Sequence, residues 1–329
     1  MTNSDHNSST PAARLSKDDL CGVLLPITTP FRCDGALDLD ALRSNIRKWN
    51  ETGIIGYVLL GSTGERVHLD EREYVEIVAT AREEVSPSMR FIVGAGQQST
   101  RGTINEIQRV TEVGSIDAVL VITPGFYRPS ITQAALVDHY REVADASPVP
   151  VILYSMPALT GIRIEPETAA VLSEHENIIG LKDSSLDTEL LRTTIGSVAD
   201  DFAVLTGNGT VLESALSAGA CGGILAVGCV ATSLCLAVFQ TVNSGNSDLT
   251  ASLQAKLTPL AQAVTTCFGI GGLKAALDMK GWKGGLVRAP LLMPDEAARS
   301  EIRQCLEEAE QAMENHAAKA PAALPHSVR

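Results

Sequence analysis

Three short stretches carry side chains on which chemistry could be built. The first is Lys182, which closes the apolar run Ile178-Ile179-Gly180-Leu181. An ammonium is costly to desolvate unless it is paired or neutral. A neutral lysine amine is a nucleophile that attacks ketones to form a Schiff base. An ordinary amine, with a pKa of ~10.4, is neutral about one part in a few thousand at pH 7, and each unit of depression gains about tenfold. The competing reading pairs Lys182 with Asp183 or Glu65, or lets it snorkel from the strand end; position alone weighs the two equally. The second is Tyr154, which closes an earlier run and could relay protons, a role that contributes about 10²–10⁴-fold in rate. It could equally be an aromatic lid. The third is Gly61-Ser62-Thr63-Gly64-Glu65, whose N–H groups and hydroxyls could hold a carboxylate or phosphate. A plain strand-to-helix turn reads the same way, and the GK[ST] ending of a phosphate loop is missing.

These residues need elements to place them. Apolar runs recur at 22–28, 56–60, 91–94, 118–122, 149–154, 178–182, 203–206 and 222–227. They are rich in Val, Ile and Leu without polar alternation, the pattern of parallel strands buried on both faces. Helical periodicity fills the gaps at 39–50, 70–84, 103–113, 133–146, 166–174, 188–198 and 211–218. This alternation predicts an α/β fold, a (β/α)₈ TIM barrel, with a doubly wound open sheet as the rival. Barrel sites lie at the C-terminal ends of the strands. The second, fifth and sixth runs end in the three stretches above, so all three are expected at one mouth. Helical patterns at 236–242, 249–267, 272–279 and 294–316 follow. The predicted organisation is a disordered arm over 1–20, the barrel over 21–230, a helical C-terminal extension over 231–316 and a disordered tail over 317–329.

Composition narrows the function classes. The 329 residues carry a formal charge of −13, with 45% hydrophobic and 20% charged residues. No basic stripe suits nucleic acid, and no apolar run reaches a membrane span. The first residues, polar and Ser/Asn/Thr-rich, lack a signal-peptide core, so a cytoplasmic location is expected. Seven cysteines match neither zinc spacing nor a disulfide framework and read as buried free thiols. The six histidines show no metal-binding spacing, so no metal site is expected. Gly94-Ala95-Gly96 is only part of a dinucleotide fingerprint, because Ser99 stands where a third glycine belongs.

Taken together, Gly61-Ser62-Thr63-Gly64-Glu65, Tyr154-Ser155-Met156-Pro157-Ala158-Leu159-Thr160-Gly161 and Gly180-Leu181-Lys182-Asp183-Ser184 resemble the three signatures of the dihydrodipicolinate synthase/N-acetylneuraminate lyase family. Pro26-Ile27-Thr28-Thr29-Pro30-Phe31, Thr123-Pro124 and Arg288-Ala289-Pro290-Leu291 fit as well, so the likeness runs from about residue 22 to 292. The resemblance implies that Lys182 forms the Schiff base with a 2-oxo acid and Tyr154 shuttles protons. It implies that Ser62 and Thr63 hold the pyruvate carboxylate, and that backbone groups at Gly207 and Ile224 line the site. It also implies no metal or organic cofactor, and a homo-oligomer, commonly a tetramer.

Within that family the departures bear on substrate. Dihydrodipicolinate synthases resemble this chain except for an arginine where Leu159 stands and a second tyrosine, reaching across a subunit interface, where Phe126 stands; Tyr127 is one residue off. Losing a guanidinium fork argues against gripping a semialdehyde carboxylate. Neuraminate lyases share the motif after Tyr154 but carry acidic residues where this chain has Gly207-Asn208-Gly209-Thr210. Tyr154-Ser155, Lys182-Asp183-Ser184, Phe268-Gly269-Ile270 and Gly272-Leu273-Lys274 are most similar to 4-hydroxy-2-oxoglutarate aldolases. The expected reaction is therefore cleavage or formation of a 4-hydroxy-2-oxo acid or a 2-keto-3-deoxy sugar acid. The alternatives are 4-hydroxy-tetrahydrodipicolinate synthase activity, a neuraminate lyase-like activity, a sugar-acid dehydratase, and a non-catalytic barrel that binds an oxo acid.

Overall fold

A computed structural model describes residues 15–319. Eight parallel strands close into a barrel in chain order, with β1 hydrogen-bonded to β8. They are β1 Val23–Pro26, β2 Gly56–Leu59, β3 Arg90–Ala95, β4 Ala118–Ile122, β5 Val151–Ser155, β6 Ile178–Asp183, β7 Ala203–Thr206 and β8 Gly222–Ile224. The doubly wound alternative is thereby excluded, because an open sheet would leave β1 and β8 as edges. Side chains alternate between two apolar environments along every strand. Leu24, Val58, Ile92, Leu120, Ile152, Leu205 and Ile224 fill the lumen. Leu25, Leu59, Val93, Val121, Leu153, Leu181 and Val204 face the surrounding helices. Burial on both faces is what the unbroken Val/Ile/Leu runs required.

The strands are connected by α1 Leu39–Trp49, α2 Glu71–Glu84, α3 Thr100–Val113, α4 Gln133–Ala146, the single turn α5 Pro157–Thr160, α6 Pro166–Ser173, α7 Thr188–Ser197 and α8 Leu212–Ser217. Their starts follow local chemistry. Asp70 forms a reciprocal capping box with Glu73 at the head of α2. Ser99 accepts from Gly102 N and starts α3 a turn earlier than periodicity alone suggests. Ser99, read above as a missing fingerprint glycine, is thus a helix cap. Gly94 also has a packing reason to be glycine: a Cβ there would lie 2.3 Å from Leu60 O.

The C-terminal segment forms α9 Thr232–Asn243, α10 Ser247–Gln262, a π-helical turn Ala263–Cys267, α11 Gly269–Met279 and α12 Glu296–Lys319. The last helix runs past the boundary expected at 316. At the other end the structure corrects the expectation of an unstructured arm up to residue 20. Leu15 and Leu20 are buried in the floor of the lumen, because the open end of a barrel needs an apolar plug. Lys17 Nζ ties this segment to Asp200 O at 2.9 Å, and Asp19 pairs with Arg90. The rest of the arm and the tail beyond Lys319 lie outside the described residues. The cysteines are free, as expected, but Cys33 and Cys267 are exposed and only Cys229 and Cys235 are buried. Among the described residues no cluster could hold a metal ion, and no helix is long and apolar enough to cross a membrane.

One buried group makes the fold sensitive to acid. His139 on α4 bonds Thr100 Oγ1 through Nδ1 at 3.0 Å, while its buried Nε2 has no partner among the described residues. Burial pushes its pKa down from 6.5 to about 4. The unfolded chain takes up this proton first, so the stability this group contributes is complete above about pH 6.5 and falls toward pH 4, by at most about 1.4 kcal/mol per pH unit. The expected result is that His139→Gln narrows the difference between urea midpoints at pH 7 and pH 5. An equal difference in variant and wild type would contradict the assignment.

Candidate active site

Register brings the chemistry together. In the β5–β6 ladder Tyr154 pairs with Lys182, and Lys182 pairs in turn with Leu205 on β7. Neighbours at one level of a barrel face the same way, so both side chains enter the upper lumen. Both are nearly inaccessible, with Tyr154 3% and Lys182 4% exposed. Lys182 Nζ lies 4.2 Å from the centroid of the Tyr154 ring. Lys182 forms no ion pair among the described residues, and the two carboxylates offered as partners by the sequence are engaged elsewhere. Asp183 Oδ1 accepts from Ser185 N at 2.7 Å, and Glu65 is taken by Lys274. The amine is therefore packed against a π face and left available.

The third stretch arrives from β2. Ser62–Gly64 is one 3-10 turn, and its Ser62 Oγ shares a 3.0 Å hydrogen bond with Tyr154 Oη. Leu60 (φ 57) and Glu65 (φ 54) flank the turn, and they are the two non-glycine residues in the left-handed region among those described. Such backbone costs about 1–3 kcal/mol per residue and persists where the surroundings over-determine it. Here it turns Ser62 toward the lumen, while Thr63 is buried in the same turn. The Tyr154 phenol reflects its company: burial pushes its pKa up, but the Lys182 charge and the Ser62 hydroxyl outweigh this, and the net pKa is lowered. A phenol poised closer to neutrality is a better proton relay.

The wall behind the amine has no room for a side chain. A Cβ on Gly207, just after β7, would lie 1.9 Å from Ser184 Oγ and 2.6 Å from Lys182 Cε. Ser184 Oγ is near the phenol but outside hydrogen-bonding geometry, and it is buried without a partner among the described residues. In the sequence Ser184 stands out only as part of a motif; a hydroxyl two residues past a strand-end lysine is the signal that could have singled it out. Ile224 sits in the same lumenal cluster as Tyr154. Tyr154 thus touches both Lys182 and Ser62, and Gly207 lies against Lys182; Ile224 shares the lumenal cluster with Tyr154, and Thr63 is buried next to Ser62 in the turn. Phe126 and Tyr127 are elsewhere. They stack edge-to-face at 5.0 Å on the β4–α4 loop and are 76% and 68% exposed. Leu159, on α5, is 62% exposed at the rim.

Residues 19–309 match the dihydrodipicolinate synthetase family. The chain belongs to that family. It is accordingly a carbon–carbon lyase of the Schiff-base, aldolase type. A 4-hydroxy-tetrahydrodipicolinate synthase of Methanothrix thermoacetophila is 32% identical over 286 residues, 87% of this chain and 95% of the relative. Another, from Stenotrophomonas maltophilia, is 38% identical over 209 residues, 64% of this chain and 69% of the relative. Among solved structures, a dihydrodipicolinate synthase of Thermotoga maritima superimposes with a TM-score of 0.82 at 31% identity, covering 88% of this chain and 98% of that one. YagE, a prophage protein of the same family from E. coli K12 solved with pyruvate, gives 0.81 at 28% identity with the same coverage of 88% and 98%.

Proposed function

We propose that Lys182 is the Schiff-base nucleophile and Tyr154 the proton relay of a lyase that cleaves or forms a 4-hydroxy-2-oxo acid or a 2-keto-3-deoxy sugar acid. The observation that carries this reading is the unpaired Lys182 amine lying 4.2 Å from the Tyr154 ring centroid, with the phenol hydroxyl bonded to Ser62. The amine adds to the 2-oxo carbon, and loss of water gives an iminium. The bond between C3 and C4 then breaks, its electron pair entering the iminium to give an enamine. The proton of the C4 hydroxyl passes to the Tyr154 phenolate, releasing an aldehyde. The enamine takes a proton at C3, and water frees pyruvate and Lys182. Ser62 and Thr63 receive the substrate carboxylate through hydroxyl and backbone N–H groups, while Gly207 and Ile224 complete the wall. Phe126, Tyr127, Leu159 and Leu186 are exposed apolar side chains on the connections that follow β4, β5 and β6, which fits burial against another copy of this chain, in a tetramer by analogy with the family.

A second reading has a specific observation behind it. The relatives from Methanothrix thermoacetophila and Stenotrophomonas maltophilia are named 4-hydroxy-tetrahydrodipicolinate synthase. Against it stands the rim: Leu159 offers no guanidinium for a second carboxylate. The test is a panel of 4-hydroxy-2-oxo acids and deoxy sugar acids, with pyruvate release coupled to lactate dehydrogenase, run beside condensation of pyruvate with aspartate semialdehyde. Pyruvate release from a hydroxy-oxo acid is expected. Turnover in the condensation alone would replace this reading with the second. A thermal shift with pyruvate and no turnover would mean a binding barrel.

A further inference from the structure

A fully buried charge pair lies directly behind the Ser62 turn. Lys274, on α11 of the C-terminal segment, is 0% exposed. Its three N–H donors are all used, on Thr29 O at 2.7 Å, Leu286 O at 2.7 Å and Glu65 Oε1 at 2.5 Å. The second Glu65 oxygen accepts from Arg288 N at 3.0 Å and faces His68 Nδ1 at 3.1 Å. Thr29, whose carbonyl takes one of the lysine protons, donates its own hydroxyl to Gly64 O at 2.8 Å. The turn is thus gripped at Gly64 and at Glu65, and both grips lead to one ammonium.

A buried ion pair is poor evidence of stabilisation, because desolvation offsets much of its attraction. What such a pair supplies in some proteins is a defined register. The Ser62 turn needs one, since it is a single turn bracketed by two left-handed non-glycine residues. Burial pushes the Lys274 pKa down and the Glu65 carboxylate pulls part of it back.

We infer that Lys274, acting with Glu65, is a positioning residue for the carboxylate end of the substrate site: it fixes the Ser62–Gly64 turn so that Ser62 and Thr63 face Lys182. This rests on the reading above that those two residues receive the 2-oxo acid. Neither Lys274 nor Glu65 touches the reacting atoms, so the effect falls on substrate affinity more than on turnover.

The test compares wild type with Glu65→Gln and with the double variant Lys274→Met, Glu65→Gln, which leaves no unpaired buried charge. For each, the pyruvate concentration that half-saturates borohydride trapping is measured, together with KM, kcat and melting temperature. Both variants are expected to raise KM and the half-saturating concentration at least tenfold, with kcat changed less. A purely structural role would lower the melting temperature and the active fraction and leave KM in place; KM within twofold of wild type in folded Glu65→Gln overturns the inference. That isosteric single variant decides the matter should the double variant fail to fold. Absence of trapping in the wild type would instead sink the reading of the site itself.

Discussion

Replacing Lys182 by alanine is expected to lower kcat/KM by about 10⁴-fold or more, the scale on which removal of a covalent nucleophile is felt. Without the amine there is no iminium to accept the electron pair of the breaking bond, and Tyr154 and Ser62 have no intermediate on which to act. Lys182→Arg sharpens the experiment. Arginine keeps a cation near the Tyr154 ring but is always protonated and cannot add to a ketone. It is expected to be as inactive as alanine, with a circular dichroism spectrum like that of wild type. Substantial activity in the folded arginine variant would mean that the residue acts as a charge and not as a nucleophile.

Tyr154→Phe carries the second-largest effect. The ring that packs against Lys182 is preserved, and only the hydroxyl bonded to Ser62 is lost. What disappears is a proton relay, so kcat is expected to fall about 10²–10⁴-fold while KM for the 2-oxo acid changes little. The pH profile should change with it. The phenol pKa is lowered from its usual 10, so the proposed phenolate acceptor forms at a lower pH than in a free tyrosine. Activity should fall as acid protonates it, and that limb should be missing in the variant. Full activity in Tyr154→Phe would remove the phenol from the mechanism.

The sequence made the barrel legible for a simple reason. A strand buried on both faces has no solvent side, so no polar alternation arises and runs such as Val151-Ile152-Leu153 stay apolar throughout. Convergence of Gly61-Ser62-Thr63-Gly64-Glu65, Tyr154 and Lys182 followed from their places at three strand ends. Two features were hidden, the first because it joins distant parts of the chain. Glu65 and Lys274 are 209 residues apart, and nothing local to either announces the other. From sequence, Glu65 was as good a partner for Lys182 as for any other lysine; its engagement with Lys274 is what leaves the Lys182 amine unpaired. The burial of Leu15 and Leu20 was hidden for a different reason: they plug the floor of a closed barrel, and the polar residues before them gave no periodic signal. Substrate choice was only partly legible, because Leu159 and Phe126 record what the rim lacks and not what it binds.

Lys182 is expected to form a covalent bond with a 2-oxo acid. The most direct measurement is to incubate the full chain with pyruvate and sodium borohydride, then record its intact mass and map the modified peptide. The expected result is one reduced pyruvate adduct per chain, on Lys182, that is absent in Lys182→Ala. An unmodified folded protein, or an adduct on another lysine that persists in the variant, would mean that Lys182 is not the nucleophile.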